Sequence, residues 1–144
     1  MKPIVFIVLV FTMASCTAPS PTITEVKESI AGTWTSTSVV REGMTLNLPP
    51  VTELDSFAFN DEPAWRYRLK PRNLGAGYYP QGDPVRVTLI SRNDSTYIQH
   101  EQLENTWLEY VQHISAGELR LYHPVNKTTY VYSRSRSVED YGEE

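Results

Sequence analysis

The residue best suited to chemistry in this sequence is Cys16, its only cysteine. A single thiol cannot form a disulfide within the chain, nor build the thiolate clusters that hold structural zinc. It can still accept a covalent group. The stretch before it, from Ile4 to Met13, is uncharged and mostly apolar, and Ala14 and Ser15 are small. Cleavage after these small residues would make Cys16 the new N-terminus.

Three histidines have side chains that can bind a metal or transfer a proton. They are His100, His113 and His123. Each falls on a different predicted element, and no pair shows the close spacing typical of metal ligands on one element. We therefore interpret all three as surface or rim residues, and we expect neither a metal site nor a bound cofactor.

Paired carboxylates can act as an acid and a base, as they do in glycoside hydrolases. The candidates are Asp61, Glu62, Glu101 and Glu109. The chain has 17 acidic residues, so accidental pairs are expected whatever the function. No Gly-x-Ser-x-Gly elbow accompanies them, nor does a glycine-rich phosphate loop between a strand and a helix. The sequence therefore predicts no catalytic residue, and we expect that the protein is not an enzyme.

The N-terminal segment has the features of a secretory signal, because Lys2 precedes a short apolar run and small residues. The run is about 15 Å long as a helix, too short to span a bilayer. Removal of residues 1–15 leaves 129 residues, enough for one domain with a core. Twelve basic residues then face 17 acidic ones. This balance argues against a nucleic-acid partner.

From Gly32 onward the sequence has the composition of β-strands, with turn residues at short intervals. It predicts eight strands, at about 33–40, 56–60, 64–69, 85–91, 96–102, 106–114, 118–122 and 128–134. The segments 41–55 and 70–84 contain prolines and are predicted to be connections. A short helix is predicted before the first strand, with Thr24 as its N-cap and Gly32 as its end.

Several predicted strands alternate apolar and polar residues, which indicates a sheet with one buried face. In the strand at 64–69, Trp65 and Tyr67 share one face, and Arg66 and Arg68 take the other. Eight such strands in up-and-down order would close into a barrel without exposed edges. The predicted fold is therefore all-β, a single antiparallel barrel of about eight strands with a short N-terminal helix. A sandwich or a half-open barrel is the alternative.

Residues 13–16, MASC, resemble the lipobox of bacterial lipoproteins. In that family the cysteine receives diacylglycerol, the signal is cleaved before it, and the new amine is acylated. The resemblance implies a signal peptide at 1–15, and a lipidated cysteine with its tether at 16–23. Thr17 and Ala18 carry no acidic retention signal, which by family analogy favours the outer membrane, facing the periplasm. An ordinary signal with an incidental cysteine is the alternative.

The start of the first strand carries a second resemblance. Gly32 and Trp34 resemble the Gly-x-Trp motif of lipocalins, which pair that tryptophan with an arginine at the end of the last strand. Residues 128–137 supply Arg134 and Arg136 as candidates, and we assign this role to Arg134. Taken with its signal, the chain looks like the small lipocalin-like lipoproteins of bacteria. The resemblance implies a barrel domain at 24–136, with Gly32, Trp34 and Arg134 packed at its base, and an acidic tail at 137–144.

A lipocalin-like barrel is expected to hold a small, partly apolar ligand at its open end, under the loop at 70–84. The residues expected to line that cavity are Ser36, Ser38, Trp65, Tyr67, Tyr78 and Tyr79. The alternative is a barrel filled by its own side chains, which would dock another envelope protein. The expected partners are therefore the membrane, through the lipid anchor, and either a small ligand or an envelope protein.

Replacing the thiol should release the protein from the membrane. We expect the Cys16→Ser variant to leave the membrane fraction, because stable anchoring needs two or more acyl chains. Fractionation followed by immunoblotting measures this, and mass spectrometry of the native N-terminus checks the acyl mass directly. A native chain that begins elsewhere, or one with a free thiol at its head, would contradict the assignment.

Overall fold

The computed structural model describes residues 18–49, 53–72 and 77–135. In these ranges the chain forms a helix, α1 (Ile23–Ile30), and ten strands. The strands are β1 (Gly32–Arg41), β2 (Met44–Asn47), β3 (Leu54–Ala58), β4 (Ala64–Pro71), β5 (Tyr78–Pro80), β6 (Val85–Arg92), β7 (Ser95–Gln102), β8 (Asn105–Ile114), β9 (Glu118–His123) and β10 (Thr128–Arg134). The predicted signal peptide, Cys16 and the tail at 137–144 lie outside the described residues.

Eight of these strands form a closed antiparallel barrel. Around the barrel the order is β1, β3, β4, β6, β7, β8, β9 and β10, so chain neighbours are also sheet neighbours. The barrel closes because β10 pairs with β1, from Trp34 opposite Arg134 to Arg41 opposite Thr128. The predicted all-β class and the eight-stranded up-and-down barrel are confirmed, and this closure excludes a sandwich or a half-open barrel.

Two short strands were not predicted. β2 forms a hairpin with the second half of β1, and β5 pairs with the end of β4. Both lie in the segments 41–55 and 70–84, for which the sequence predicts only connections. They are four and three residues long, so a period of two residues cannot stand out from the surrounding turn signals.

The helix begins two residues earlier than the sequence predicts. Thr22, rather than Thr24, is the N-cap, and it forms a capping box with Glu25. The Thr22 hydroxyl accepts from the Glu25 amide at 3.2 Å, and the Glu25 carboxylate accepts from the Thr22 amide at 2.7 Å. Val26 and Ile30 are fully buried in the core, so the helix plugs one end of the barrel.

At this closed end, Trp34 is fully buried and Arg134 lies over its ring, with Cζ 4.2 Å from the ring centroid. The indole Nε1 donates to the carbonyl of Ile30 at 2.8 Å, and Nη1 of Arg134 donates to that of Ala31 at 2.9 Å. Gly32 has φ +122°, and a Cβ there would lie 2.7 Å from Nη1 of Arg134. Only glycine therefore lets the arginine tie the last strand to the helix.

The interior is divided into two halves along the barrel axis. The half near the closed end is an apolar core, which contains Val26, Ile30, Trp34, Phe57, Ala64, Val87, Ile98, Val111, Leu119, Leu121 and part of Tyr132. The half near the opposite, open end contains charged side chains. The open end is formed by the β1–β2, β7–β8 and β9–β10 connections together with the end of β4 and the start of β5, and it positions the site described below.

Truncation of the indole at the closed end should cost much of the stability. We expect Trp34→Ala to lower the free energy of unfolding by about 3–5 kcal/mol, as large aromatic truncations in cores do. Urea titration followed by circular dichroism measures this. Trp65→Ala is the matched control, because Trp65 is only half-buried, and its loss should be clearly smaller. A loss below about 1 kcal/mol for Trp34→Ala would contradict its place in the core.

Candidate functional site

Arg66 on β4 points into the barrel. The sequence predicts instead that its neighbours Trp65 and Tyr67 form the inner face of this strand. Its Nη1 donates to Glu109 on β8, and its Nη2 donates to the hydroxyl of Tyr132 on β10, both at 3.2 Å. Neither strand neighbours β4, so these bonds cross the interior. Trp65 and Tyr67 consequently lie on the outer face of β4. The expectation that they line a cavity is wrong.

The partners of Arg66 explain why this reversed orientation is stable. Its Nε donates to Asp55 Oδ1 at 3.2 Å, and its Cζ lies 5.2 Å from the centroid of the Phe57 ring. With Glu109 and Tyr132, the guanidinium thus meets three oxygen acceptors. A buried charge is costly unless it is paired and hydrogen-bonded. Charge-assisted bonds to two carboxylates offset that cost.

Burial opposes the charge of Arg66, but the acidic groups of Tyr132, Asp55 and Glu109 outweigh it and hold its pKa above the ordinary value. Burial raises the pKa of Tyr132 to about 12, so its hydroxyl stays protonated and accepts from the arginine. Burial also opposes the charge of Glu109, but the contacts with His100 and Arg66 hold its pKa below the ordinary value. The cluster is therefore charged at neutral pH.

His100 is fully buried beside this cluster, which corrects the prediction that it is a surface or rim residue. Its Nε2 lies 2.7 Å from Oε2 of Glu109, a close but poorly aligned contact. Its ring stacks on Trp107, with centroids 5.0 Å apart and planes 8° apart. Burial is the main reason that its pKa is lowered. His113 is exposed, and His123 is half-buried near the open end.

Sequence reasoning missed this cluster because its members are far apart in the chain. Asp55, Glu109 and Tyr132 are 11, 43 and 66 residues from Arg66. One local signal was present in the sequence. Asp55 lies two residues before Phe57, which belongs to the core, so both side chains are on the same face of β3. The register of β3 with β4 then places Phe57 opposite Arg66, on the same face. That register could not be derived from the alternation in β4 alone.

Above the cluster, at the open end, lies a cavity of about 250 Å³. Its lining consists of Asp55, Arg66, Arg68, Gln81, Asp83, Val85, Gln102 and Trp107. Arg66 and Asp55 belong to the buried cluster and form its floor. Gln81 and Asp83 come from the segment 70–84, so a cavity is present beside the segment under which the sequence predicts a ligand, although the residues that line it are not those predicted. We call it the mouth cavity.

The remaining residues predicted to line a site are not in the mouth cavity. Ser36 pairs with Tyr132 and faces the interior, below the mouth. A β-bulge follows it, because Ser38 pairs with the residue next to Tyr132, and this bulge turns Ser38 to the outer face. Tyr78 and Tyr79 lie on β5, and 43 % of Tyr79 is exposed. Neither tyrosine lines the mouth cavity.

A larger groove of about 450 Å³ lies at the closed end, between α1, the turn at 59–63 and β6. Val87 and Ala64 form an apolar floor, which is the outer limit of the core. The charged residues at its margin, such as Lys27 and Arg86, are exposed to solvent. The buried charges meet at the mouth instead, so we consider the mouth cavity the better candidate for specific recognition.

The described residues contain no group of three or more His, Cys, Asp or Glu side chains arranged to hold a metal ion. Within the same ranges, no helix is long and apolar enough to cross a membrane. Comparison of the chain with protein-family models, curated proteins and solved structures gives no match. The fold and the site thus define an eight-stranded antiparallel barrel with a charged mouth, and the resemblance to lipocalin-like lipoproteins stays a prediction.

The buried histidine should make stability depend on pH. Because its pKa is lowered in the folded state, the unfolded chain binds more protons below about pH 6.5. Unfolding free energy should therefore fall as the pH drops from 7 to 5.5. Replacement of His100 by Phe, which preserves a ring against Trp107, should flatten this slope, as urea titrations at each pH will measure. The exposed His113, replaced by Phe, serves as the control. Equal slopes in both variants would contradict the assignment.

Proposed function

We propose that this chain is a lipid-anchored protein of the bacterial envelope that binds a small, partly apolar molecule in its mouth cavity. The single observation that carries the binding role is the mouth cavity itself, which combines an aromatic wall with charged and amide groups. Trp107 and Val85 would meet the apolar part of the ligand. This is the arrangement typical of small-molecule sites, where a few polar groups fix orientation.

The anchor is proposed from the sequence alone. The lipobox-like residues 13–16 support acylation of Cys16, and residues 17 and 18 favour the outer membrane, facing the periplasm. The first element of the fold, α1, begins at Ile23, seven residues after that cysteine. The folded barrel would therefore follow its anchor closely.

We propose a binding role without catalysis. The closest pair of a histidine and a carboxylate in the described residues is His100 with Glu109. His100 is fully buried and one side of its ring is covered by Trp107. A general base must come within hydrogen-bond reach of its substrate. The burial of His100 therefore supports a structural role, in which it holds Trp107 and Glu109 in place.

A second candidate function is favoured by a different observation. In the described residues, the widely exposed large apolar side chains all lie around the open end. They are Met44, Leu46, Tyr79, Leu103 and Val125, and we call this set the apolar rim. Leu103 and Val125 lie in the β7–β8 and β9–β10 connections, whereas Met44 and Leu46 lie on β2 and Tyr79 lies on β5. Exposed apolar groups collected at one end mark an interaction surface, which supports docking of another envelope protein.

Fluorescence can distinguish the two candidates. Octanoate, octyl glucoside below its micelle concentration, and benzyl alcohol serve as partly apolar probes of the purified protein. We expect at least one of them to quench or shift the emission saturably, because Trp107 lines the mouth cavity. The response should disappear in Trp107→Phe and persist in Trp65→Phe, since Trp65 lies outside the barrel.

Two outcomes would contradict ligand binding at the mouth. One is the absence of a saturable response to every probe, which would favour docking through the apolar rim. The other is a response that survives in Trp107→Phe, which would place the bound probe elsewhere, for example in the groove at the closed end.

A further inference from the structure

We infer that the polar part of the ligand at the mouth is uncharged and rich in hydroxyl groups, as in a sugar. This inference rests on the proposed function, because it names the chemical class that the mouth cavity takes. Three features of the cavity carry it. They are its balance of charges, its free hydrogen-bonding groups and the available surface of Trp107.

The charges in and below the mouth cavity oppose an additional anion. Two guanidinium groups, of Arg66 and Arg68, face three carboxylates. Those carboxylates are Asp55, Asp83 and Glu109. Because the charge of Arg66 is already compensated by the carboxylates of Asp55 and Glu109, Arg68 is the guanidinium that a ligand carboxylate would mainly meet. The ligand carboxylate would then add negative charge next to a poorly solvated interior, where like charges repel strongly.

A cationic ligand is disfavoured for the complementary reason. Asp55, the carboxylate at the floor, lies 3.2 Å from Nε of Arg66 and 4.0 Å from Nε of Arg68. Its charge is already compensated on both sides, and the Asp83 carboxylate, which has no ion pair among the described residues, is exposed to solvent, where pairing with a cation contributes little. A ligand ammonium would have to give up its hydration and approach two guanidinium groups to reach Asp55. A neutral polar group avoids both penalties.

The groups that remain free include both donors and acceptors. The side chain of Arg68 is 58 % exposed, so its N–H groups can donate. Among the described residues, neither Nε1 of Trp107 nor the carboxylate of Asp83 has a hydrogen-bond partner. Nε2 of Gln102 donates to the Asp83 carbonyl at 3.0 Å, which leaves its carbonyl oxygen free to accept. A hydroxyl both donates and accepts, so neighbouring hydroxyls match this mixed set.

Trp107 offers the apolar contact that a sugar ring needs. His100 stacks in parallel on one face of the indole, while the indole also lines the cavity. The electron-rich face of an aromatic ring attracts the slightly positive C–H groups of an aliphatic ring. Because His100 fixes the indole, little conformational entropy is lost on binding. The volume of about 250 Å³ suits a small molecule or one end of a larger one.

Indole NMR signals test this assignment in the full-length protein, kept in a detergent without sugar head groups. The chain has three tryptophans, so three indole N–H signals report separately on the closed end, the outer wall and the mouth. Glucose, N-acetylglucosamine and ribitol serve as neutral hydroxyl-rich probes, octanoate as an anion and putrescine as a cation. We expect at least one neutral probe to shift the Trp107 signal saturably, and neither charged probe to do so.

Matched variants then test the contacts. Arg68→Gln should weaken binding of that neutral probe at least fivefold. Arg92→Gln, an exposed position at the closed end of β6, should leave the affinity unchanged. Equal affinity in both variants would overturn the inference. A shift with octanoate or putrescine and with no neutral probe would also overturn it, while binding at the mouth would stand. No shift with any probe would overturn both this inference and the proposed function.

Discussion

The ion pairs of a single arginine determine how the interior of this barrel is used. Arg66 lies inside and bonds to groups on three other strands, among them Glu109 and Tyr132. Removal of one partner would leave a buried charge unpaired, which costs far more than the pairing contributes. The cluster therefore fixes the face that β4 turns inward. It also sets the boundary between the apolar core below and the polar cavity above.

Much of the fold follows from local patterns, whereas the site does not. All eight barrel strands are predicted within about two residues, because turn residues bound each of them. The inner face of β4 is not predicted correctly. Trp65 and Tyr67 alternate with two arginines, and this pattern is compatible with either face of the strand pointing inward. Contacts across the barrel decide it. Ser38 illustrates the same limit. A single bulged residue exchanges the inner and outer faces for the residues that follow it, so the alternation of the sequence then predicts the wrong face.

The two halves of the barrel serve different physical needs. Near the closed end, Trp34, Arg134 and the helix fill the interior, and this half provides stability. Toward the open end, Trp107, Arg68 and Asp83 line the mouth cavity, and this half carries the recognition site that we propose. The same division accounts for both candidate functions, since the mouth cavity and the apolar rim share one end of the molecule. A ligand in the cavity would alter the surface that a docked protein meets.

For the proposed lipid anchor at Cys16, the contacts of the first described residues indicate which end of the barrel would lie near the bilayer. Ser20 bonds to the Tyr110 hydroxyl at 2.5 Å, and the Pro21 carbonyl accepts from Thr96 at 2.7 Å, both toward the closed end. Only four peptide units separate Ser20 from Cys16, a reach of about 14 Å. The barrel is about 25 Å tall. A molecule held by that cysteine would therefore stand upright with its helix toward the lipid head groups, and its aperture would face the aqueous compartment.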